Sequence, residues 1–165
     1  MKFKNHRYAF PENLYCDIFR VTSYKNLPKN AEASAMSAIN MLPQRIRCVI
    51  AGRYVHKMSL RECIENCGES PEQMHSRETQ GLNLLRCDRV KAGLKAGEVF
   101  CEGSRSLADI ELSYRAIKGL FSVGILTVGD YMAAGMDMKT LVDIKRIGKR
   151  TAAEIVARTT ECQGG

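Results

Sequence analysis

Two start signals for helices lie close together near the middle of the chain. Residues 59–62 (SLRE) and residues 70–73 (SPEQ) both have the form of a capping box, in which a serine and a glutamate or glutamine three positions later satisfy each other's backbone amides. Gly68 stands where a left-handed residue would end the first helix, and Pro71 occupies a first helical position, where proline is tolerated. The spacing predicts two helices joined by a turn of about three residues, the pattern of a helix-turn-helix.

The remainder of the chain also favours helices. After Pro43, the apolar residues Ile46, Val49, Ile50 and Tyr54 recur at helical spacing. Tryptophan is absent and aromatic residues make up 7% of the chain, so aliphatic residues and methionine must fill the interior. Alternation of apolar and polar residues, which is typical of β-strands, extends over no more than a few positions. We therefore predict an all-α fold.

Composition divides the chain into two helical modules. Residues 1–30 form an N-terminal extension of mixed character, to which the sequence assigns no structure, and residues 31–90 contain the two capped helices. Glycines mixed with charged residues over residues 91–105 predict a linker. In residues 106–165, Ser113 and residues 127–130 (TVGD) can each begin a helix. A hairpin between the last two helices is predicted at residues 147–151 (IGKRT).

The charge balance limits the functions that the chain can have. Lysine and arginine total 25 against 18 acidic residues, for a net charge of +7, which favours an anionic partner such as nucleic acid. We find no nucleophile with an adjacent base, no paired carboxylates and no metal-binding cluster. The sequence therefore predicts a non-enzymatic protein without a cofactor or a small-molecule substrate. Because it contains neither an apolar membrane span nor a signal-peptide pattern, we expect a cytoplasmic location without membrane contact.

The seven cysteines are an odd number without paired spacing, which predicts reduced thiols rather than a disulfide framework. Cys63 and Cys67 would share one face of a helix, with His56 nearby, so a metal site is one interpretation. The sequence offers no second close pair of ligands, however. We therefore interpret these cysteines as small core residues and predict no bound metal ion.

The hairpin at residues 147–151 has the chemistry to bind phosphate. Gly148 allows the backbone to approach a phosphate closely, and the amides that open the following helix point outward at its positive end. Lys149 and Arg150 add charge at the same place. Such contacts position a protein on DNA without selecting a sequence. The alternative is a capped turn whose basic residues are simply solvated.

Residues 107–158 resemble the C-terminal domain of the bacterial RNA polymerase alpha subunit. The similarity lies in residues 109–115 (DIELSYR), 127–130 (TVGD) and 147–155 (IGKRTAAEI), which follow the family's order. In that family an arginine enters the narrow minor groove of A/T-rich DNA, and a helix-hairpin-helix contacts the flanking phosphates. The resemblance implies that Arg115 is the groove arginine, with Lys118 beside it. It also implies hairpin contacts from Gly148, Lys149, Arg150, Thr151 and Glu154.

Residues 31–86 resemble region 4 of bacterial sigma factors. The similarity lies in residues 42–45 (LPQR), residues 59–62 and the helix predicted from residue 70 to residue 86. That family places its second helix in the major groove of the −35 promoter element and packs its outer face on the flap of the polymerase beta subunit. Pro71 and His75 stand where primary sigma factors usually carry arginines, and Ser76 stands where they carry a glutamine. The resemblance implies groove contacts from Glu72, His75 and Ser76, with Gln73 and Arg77 beside them.

Together these features predict an accessory transcription regulator that binds double-stranded promoter DNA and RNA polymerase. The C-terminal module would bind A/T-rich DNA, while the helix-turn-helix would contact the −35 region or the polymerase flap, with a sigma factor as a further candidate partner. Linking the modules would raise the effective concentration of the second contact. A second hypothesis is a polymerase-binding adaptor or decoy that mimics sigma and alpha surfaces without touching DNA.

Overall fold

The computed structural model of the protein describes residues 7–164. Every regular element within that range is helical, which confirms the predicted all-α class. A π-helical turn (Ala51–Val55) continues the third helix, and a 3₁₀ turn (Leu107–Ile110) precedes the seventh. The ten α-helices of the described residues are α1 (Glu12–Phe19), α2 (Ala31–Asn40), α3 (Gln44–Ile50), α4 (Leu60–Cys67), α5 (Pro71–Leu85), α6 (Asp88–Ala96), α7 (Tyr114–Ser122), α8 (Val128–Ala134), α9 (Met138–Asp143) and α10 (Lys149–Gln163).

The chain divides into two compact units between Phe100 and Cys101. This boundary falls inside residues 91–105, which the sequence predicted to be a linker. The first part of that segment, residues 91–96, is helical and forms the last six residues of α6. The first unit therefore includes the whole of α6 and the residues that follow it up to Phe100.

The glycines that suggested a flexible linker have packing and turning roles. A Cβ on Gly93 would collide with the ring of Phe100, so the helix needs a glycine where these two residues meet. Gly97 ends α6 with a φ of 72°, in the left-handed region that glycine enters without strain. Val90 and Leu94 are fully buried on the same helix. These glycines therefore serve the packing and the end of α6, although their mixture with charged residues is typical of a linker.

Part of the N-terminal extension belongs to the core of the first unit. Its residues 1–6 lie outside the described range, as does residue 165, but α1 is well formed. Leu14 and Tyr15 are fully buried, and the Tyr15 hydroxyl donates a hydrogen bond to the carbonyl of Leu94 in α6 (2.8 Å). The first unit consequently begins with α1 rather than at residue 31.

The two capped helices begin where the sequence predicted them. Ser59 and Glu62 exchange hydrogen bonds at the start of α4 (3.1 and 2.8 Å). Ser70 and Gln73 do the same at the start of α5 (3.2 and 2.9 Å). Gly68 ends α4 with a φ of 64°. Local hydrogen bonding therefore sets both starts and the short turn between the helices.

The inner face of α5 lies against α3. Gly81 makes this close approach possible, because a Cβ there would lie 2.6 Å from Ile50 and 2.9 Å from Ile46. An ion pair joins α5 to the π-helical turn, where the Glu78 carboxylate lies 3.6 Å from the Arg53 guanidinium and both side chains are mostly buried. Packing thus holds one face of α5 and leaves the opposite face in solvent.

The structure corrects one prediction about the cysteines. Cys48 of α3 and Cys67 of α4 form a disulfide, with their Cα atoms 6.2 Å apart, whereas the sequence predicted reduced thiols. The bond joins residues 19 positions apart, and their proximity depends on how α4 packs on α3. Cys63 is a buried free thiol that packs with Val49 and Met74. Within residues 7–164, no group of three or more histidine, cysteine or acidic side chains is placed to hold a metal ion.

The second unit contains the 3₁₀ turn and helices α7 to α10. Helices α7 and α8 begin at side-chain caps, with Ser113 accepting from the Ala116 amide and Thr127 from the Asp130 amide. The interior is largely aliphatic, and α10 packs against both α7 and α9. The buried core includes Leu107, Ile117, Leu120, Phe121, Leu141, Ile147, Ala152 and Ile155. Across both units, none of the described helices has the length and apolar character needed to cross a membrane.

Candidate nucleic-acid interface

A cationic cleft opens on the surface of the second unit. It has a volume of about 440 Å³ and is lined by Tyr114, Arg115, Lys118 and Arg146. The first three residues come from α7, where positions 115 and 118 share one helix face because of their spacing. Arg146 comes from the connection between α9 and α10. The structure thus brings together Arg115 and Lys118, which the sequence predicted, and adds a third cation.

Arg146 is the functional candidate that the sequence analysis missed. Its φ is 77°, an uncommon left-handed conformation for a residue with a side chain. Ile144 and Ile147 on either side are buried and anchor the connection, so the residues between them face outward. The charge pattern could have identified Arg146 from the sequence: residues 145–150 contain four basic residues and no acidic one.

A glycine sets the distance between α7 and this connection. A Cβ on Gly119 would lie 2.5 Å from Cγ1 and 2.7 Å from Cδ1 of Ile147, which is closer than packed carbon atoms come. The absence of a side chain at residue 119 therefore allows Ile147 to pack directly on α7. Because Arg146 directly precedes Ile147, that contact also places Arg146 next to Lys118 in the cleft.

The cleft is electrostatically suited to an anion. Its lining carries three positive charges and no carboxylate. Burial and the neighbouring charge of Arg146 both lower the pKa of the Lys118 ammonium group. The Lys118 nitrogen also lies 5.7 Å from the centre of the Tyr114 ring, within the range of a cation–π contact. Because the cations repel one another, a bound phosphate would relieve that repulsion and strengthen each contact.

The hairpin continues the basic surface away from Arg146. Gly148, Lys149 and Arg150 are all exposed, and a Cβ built on Gly148 meets no atom within 4 Å. Gly148 is the residue before α10 and provides no side-chain cap for that helix. The amides of the first turn of α10 therefore have no side-chain cap at the positive end of a 15-residue helix. These three predicted residues lie on the surface, as phosphate binding requires.

The structure assigns different roles to the other two residues predicted in the hairpin. Thr151 is almost entirely buried, so its side chain packs inside the unit and cannot contact DNA. Glu154 accepts hydrogen bonds from the amide and the hydroxyl of Ser113 (2.6 and 3.0 Å). Since Ser113 caps α7, Glu154 joins α10 to the start of the helix that carries Arg115. Its carboxylate is thus already engaged within the unit, in positioning α7.

The residues predicted on α5 are only partly available to a partner. Glu72, His75 and Ser76 are exposed, as the sequence predicted. The Gln73 side chain is engaged in the capping box at Ser70. Arg77 is half-buried and is directed to Glu69 (3.7 Å) and Gln80 (3.4 Å) within its own unit.

The helices α4 and α5 present a mainly acidic outer surface. Glu62, Glu65 and Glu72 are exposed on this pair, and the exposed Arg61 is paired with Glu65 at 3.2 Å. With Arg77 held by Glu69, no unpaired arginine or lysine remains among the described residues of these two helices. The exposed side chains of the pair thus carry two more negative than positive charges, which disfavours contact with DNA phosphates.

The two predicted contact sets therefore differ in chemistry. In the second unit, Arg115, Lys118, Gly148, Lys149 and Arg150 are exposed or half-exposed, and Arg146 joins them. In the first unit, two of the five predicted residues are engaged within the fold. Comparison of the chain with protein-family models, with curated proteins and with solved structures found no match to any of them.

Proposed function

We propose that the chain is a non-enzymatic transcription regulator that binds double-stranded promoter DNA through its second unit. The observation that carries the proposal is the convergence of Arg115, Lys118 and Arg146 on one cleft, next in the chain to the exposed hairpin residues 148–150. A cationic cleft followed in the chain by an uncapped helix start is suited to the closely spaced phosphates of nucleic acid.

Within this proposal, Arg115 enters the minor groove of A/T-rich DNA. The narrow groove of such DNA has an enhanced negative potential, which favours an inserted guanidinium. The flanking phosphates are bound by Lys118, Arg146, Lys149 and Arg150 and by the uncapped amides at the start of α10. The contacts to phosphate position the protein, and the groove contact supplies the preference for A/T-rich sequence.

The first unit is proposed to bind RNA polymerase rather than DNA. Its resemblance to sigma region 4 points to the polymerase beta flap or a polymerase-bound sigma factor as the partner. The exposed carboxylates of Glu62, Glu65 and Glu72 support a protein contact, because they would weaken a DNA contact. Such a protein would act in the cytoplasm, on promoters that carry A/T-rich DNA.

A salt titration of DNA binding tests the proposal. Fluorescence anisotropy with an A-tract duplex and a G/C duplex of equal length would be recorded between about 50 and 200 mM salt. If Arg146, Lys149, Arg150 and Lys118 contact four phosphates, log K should fall with log[salt] with a slope of about −3 to −4. The A-tract duplex should bind more tightly at every salt concentration.

The acidic surface of α4 and α5 supports a second candidate function, an adaptor or decoy that binds polymerase without touching DNA. The same titration separates the two. Absence of duplex binding near physiological salt, combined with capture of purified RNA polymerase by the full chain in the presence of nuclease, would favour the adaptor and overturn the DNA-binding proposal.

A further inference from the structure

Three cysteines from two helices meet beneath α4. Cys48 of α3 is bonded to Cys67, the last residue of α4. The Cys63 sulfur lies 3.9 Å from the Cys67 sulfur, one helical turn earlier on the same face. It also lies 3.9 Å from the carbonyl oxygen of Val49. The bond therefore sits beside a third, unoxidised thiol.

The helix that carries Cys67 has few other attachments to its unit. Cys63 is the single residue of α4 that is buried. Ile64 and Cys67 are partly buried against the cluster formed by Val49, Cys63 and Met74, and Leu60 is half-exposed. Because so little apolar surface holds α4 in place, a covalent link at its C-terminal end contributes a large share of its attachment.

The two bonded cysteines differ from the third in exposure. Cys48 and Cys67 are both partly exposed, as attack by a small dithiol or peroxide requires. Cys63 is fully buried, and burial raises the pKa of its thiol. The thiolate is the reactive form, so burial of Cys63 disfavours its reaction with Cys67.

We propose that Cys48 and Cys67 are a reversible redox-modification site that fastens α4 to α3. Disulfides in cytoplasmic proteins are most often transient and redox-sensing, and the location proposed above would place this one in that class. The bond joins residues on separate helices whose Cα atoms are 6.2 Å apart, within the range that a disulfide spans.

The oxidant and reductant are of simple chemical classes. One of the two thiols reacts with a peroxide such as hydrogen peroxide to give a sulfenic acid and one water. The other thiol then displaces the sulfenic oxygen as a second water, and the sulfur–sulfur bond forms. A dithiol reverses the step by thiol–disulfide exchange, ending as a disulfide itself and returning both protein thiols.

Opening the bond should loosen α4 and the turn that leads to α5. Cys67 directly precedes Gly68, and the next residue, Glu69, is paired with Arg77 on α5. The exposed carboxylates of α4 lie on the segment released. The redox role argued from a cytoplasmic location and an effect on polymerase binding both rest on the proposed function, whereas the bond and the mobility of α4 do not.

Hydrogen exchange of the full chain, combined with thiol alkylation and mass spectrometry, tests the proposal. In the oxidised protein, the peptides containing Cys48 and Cys67 should be cross-linked and the free cysteines should be alkylated under denaturing conditions. Dithiothreitol should release both thiols and speed amide exchange in residues 60–67 by about tenfold, while exchange in α6 and α10 stays unchanged. Hydrogen peroxide should restore the cross-link and the slow exchange.

Two variants serve as controls. Cys48→Ser should show the fast exchange of residues 60–67 under both conditions, and Cys162→Ser should respond as the wild type does. If peroxide leaves both cysteines open to alkylation, the site is not a redox site. If the cross-link forms and α4 exchanges at the same rate in both states, the bond does not fasten α4. Either result overturns the inference without bearing on DNA binding by the second unit.

Discussion

Ile147 packs against Gly119 so closely that a methyl group at residue 119 would lie 2.5 Å from its Cγ1 atom. This contact sets the separation between α7 and the connection to α10. It therefore also sets the position of Arg146 beside Lys118 in the cationic cleft. The proposed interface depends on an apolar contact just below it, and the first prediction follows from that dependence.

Gly119→Ala should destabilise the second unit and weaken DNA binding. The added methyl group forces Ile147 or α7 to move, at a cost of about 1–3 kcal/mol. Gly148→Ala is a matched control for stability, because a Cβ at Gly148 meets no atom within 4 Å and should cost less than about 1 kcal/mol. Urea unfolding of both variants measures the difference, and equal stabilities would show that Gly119 is not required for packing.

Arg115→Ala should weaken binding to an A-tract duplex by about tenfold or more, since a good base-edge contact contributes on the order of 1–3 kcal/mol. Arg158→Ala removes the same charge from a residue that lies 3.4 Å from Glu161 and is not among those lining the cleft. It should bind nearly as wild type does. Fluorescence anisotropy measures both affinities, and equal losses would mean that only net charge matters.

Lys149→Ala should weaken binding to A-tract and G/C duplexes by the same factor. Lys149 is exposed at the start of α10, and in the proposed complex it contacts phosphate, which carries no sequence information. The slope of log K against log[salt] should become shallower by about 1. Anisotropy titrations at several salt concentrations measure the slope, and a change in the preference between the two duplexes would contradict the assignment.

Glu154→Ala should weaken DNA binding although it removes a negative charge. The Glu154 carboxylate holds Ser113 at the start of α7, and without it the helix carrying Arg115 is less firmly placed. Glu154→Gln retains an acceptor for the Ser113 amide and should bind more tightly than the alanine variant. Affinities of the two variants are compared by anisotropy, and tighter binding by Glu154→Ala than by wild type would show that Glu154 acts through its charge alone.

Glu78 should make the stability of the first unit decrease as the pH rises above about 4.5. Burial raises the pKa of Glu78 above its ordinary value of 4.5, although the nearby Arg53 opposes that effect. The folded state therefore binds the proton more tightly than the unfolded state, so its contribution to stability is fully present below the ordinary pKa and is lost as the pH rises through the higher one.

Urea unfolding of wild type and Glu78→Gln between about pH 4 and pH 7 measures this contribution. Other carboxylates titrate in both proteins, and the difference in unfolding free energy isolates Glu78. The stability of wild type relative to the variant should fall as the pH rises. A constant difference across the range would mean that the pKa of Glu78 is the same in the folded and unfolded states.

The sequence determined the features that depend on residues within a few positions of each other. The capping boxes at Ser59 and Ser70 and the cap at Ser113 form as the sequence predicted. Helical spacing of apolar residues was sufficient to predict the all-α class, and the positions of Arg115 and Gly148 on the surface followed from local pattern. Helix caps and helical turns are formed by hydrogen bonds between residues three or four positions apart. The residues that predict them therefore lie within short stretches of sequence.

Tertiary structure decided the features that need contacts between residues far apart in the chain. Glu154 lies 41 residues from Ser113, and Tyr15 of α1 lies 79 residues from its partner Leu94. The Cys48–Cys67 bond, the burial of Thr151 and the placement of Arg146 in the cleft likewise depend on which helices meet. Helix periodicity shows which face of a helix is apolar, but it does not show which other helix that face packs against. Packing partners are selected by complementary shape, as where Gly119 leaves space for Ile147.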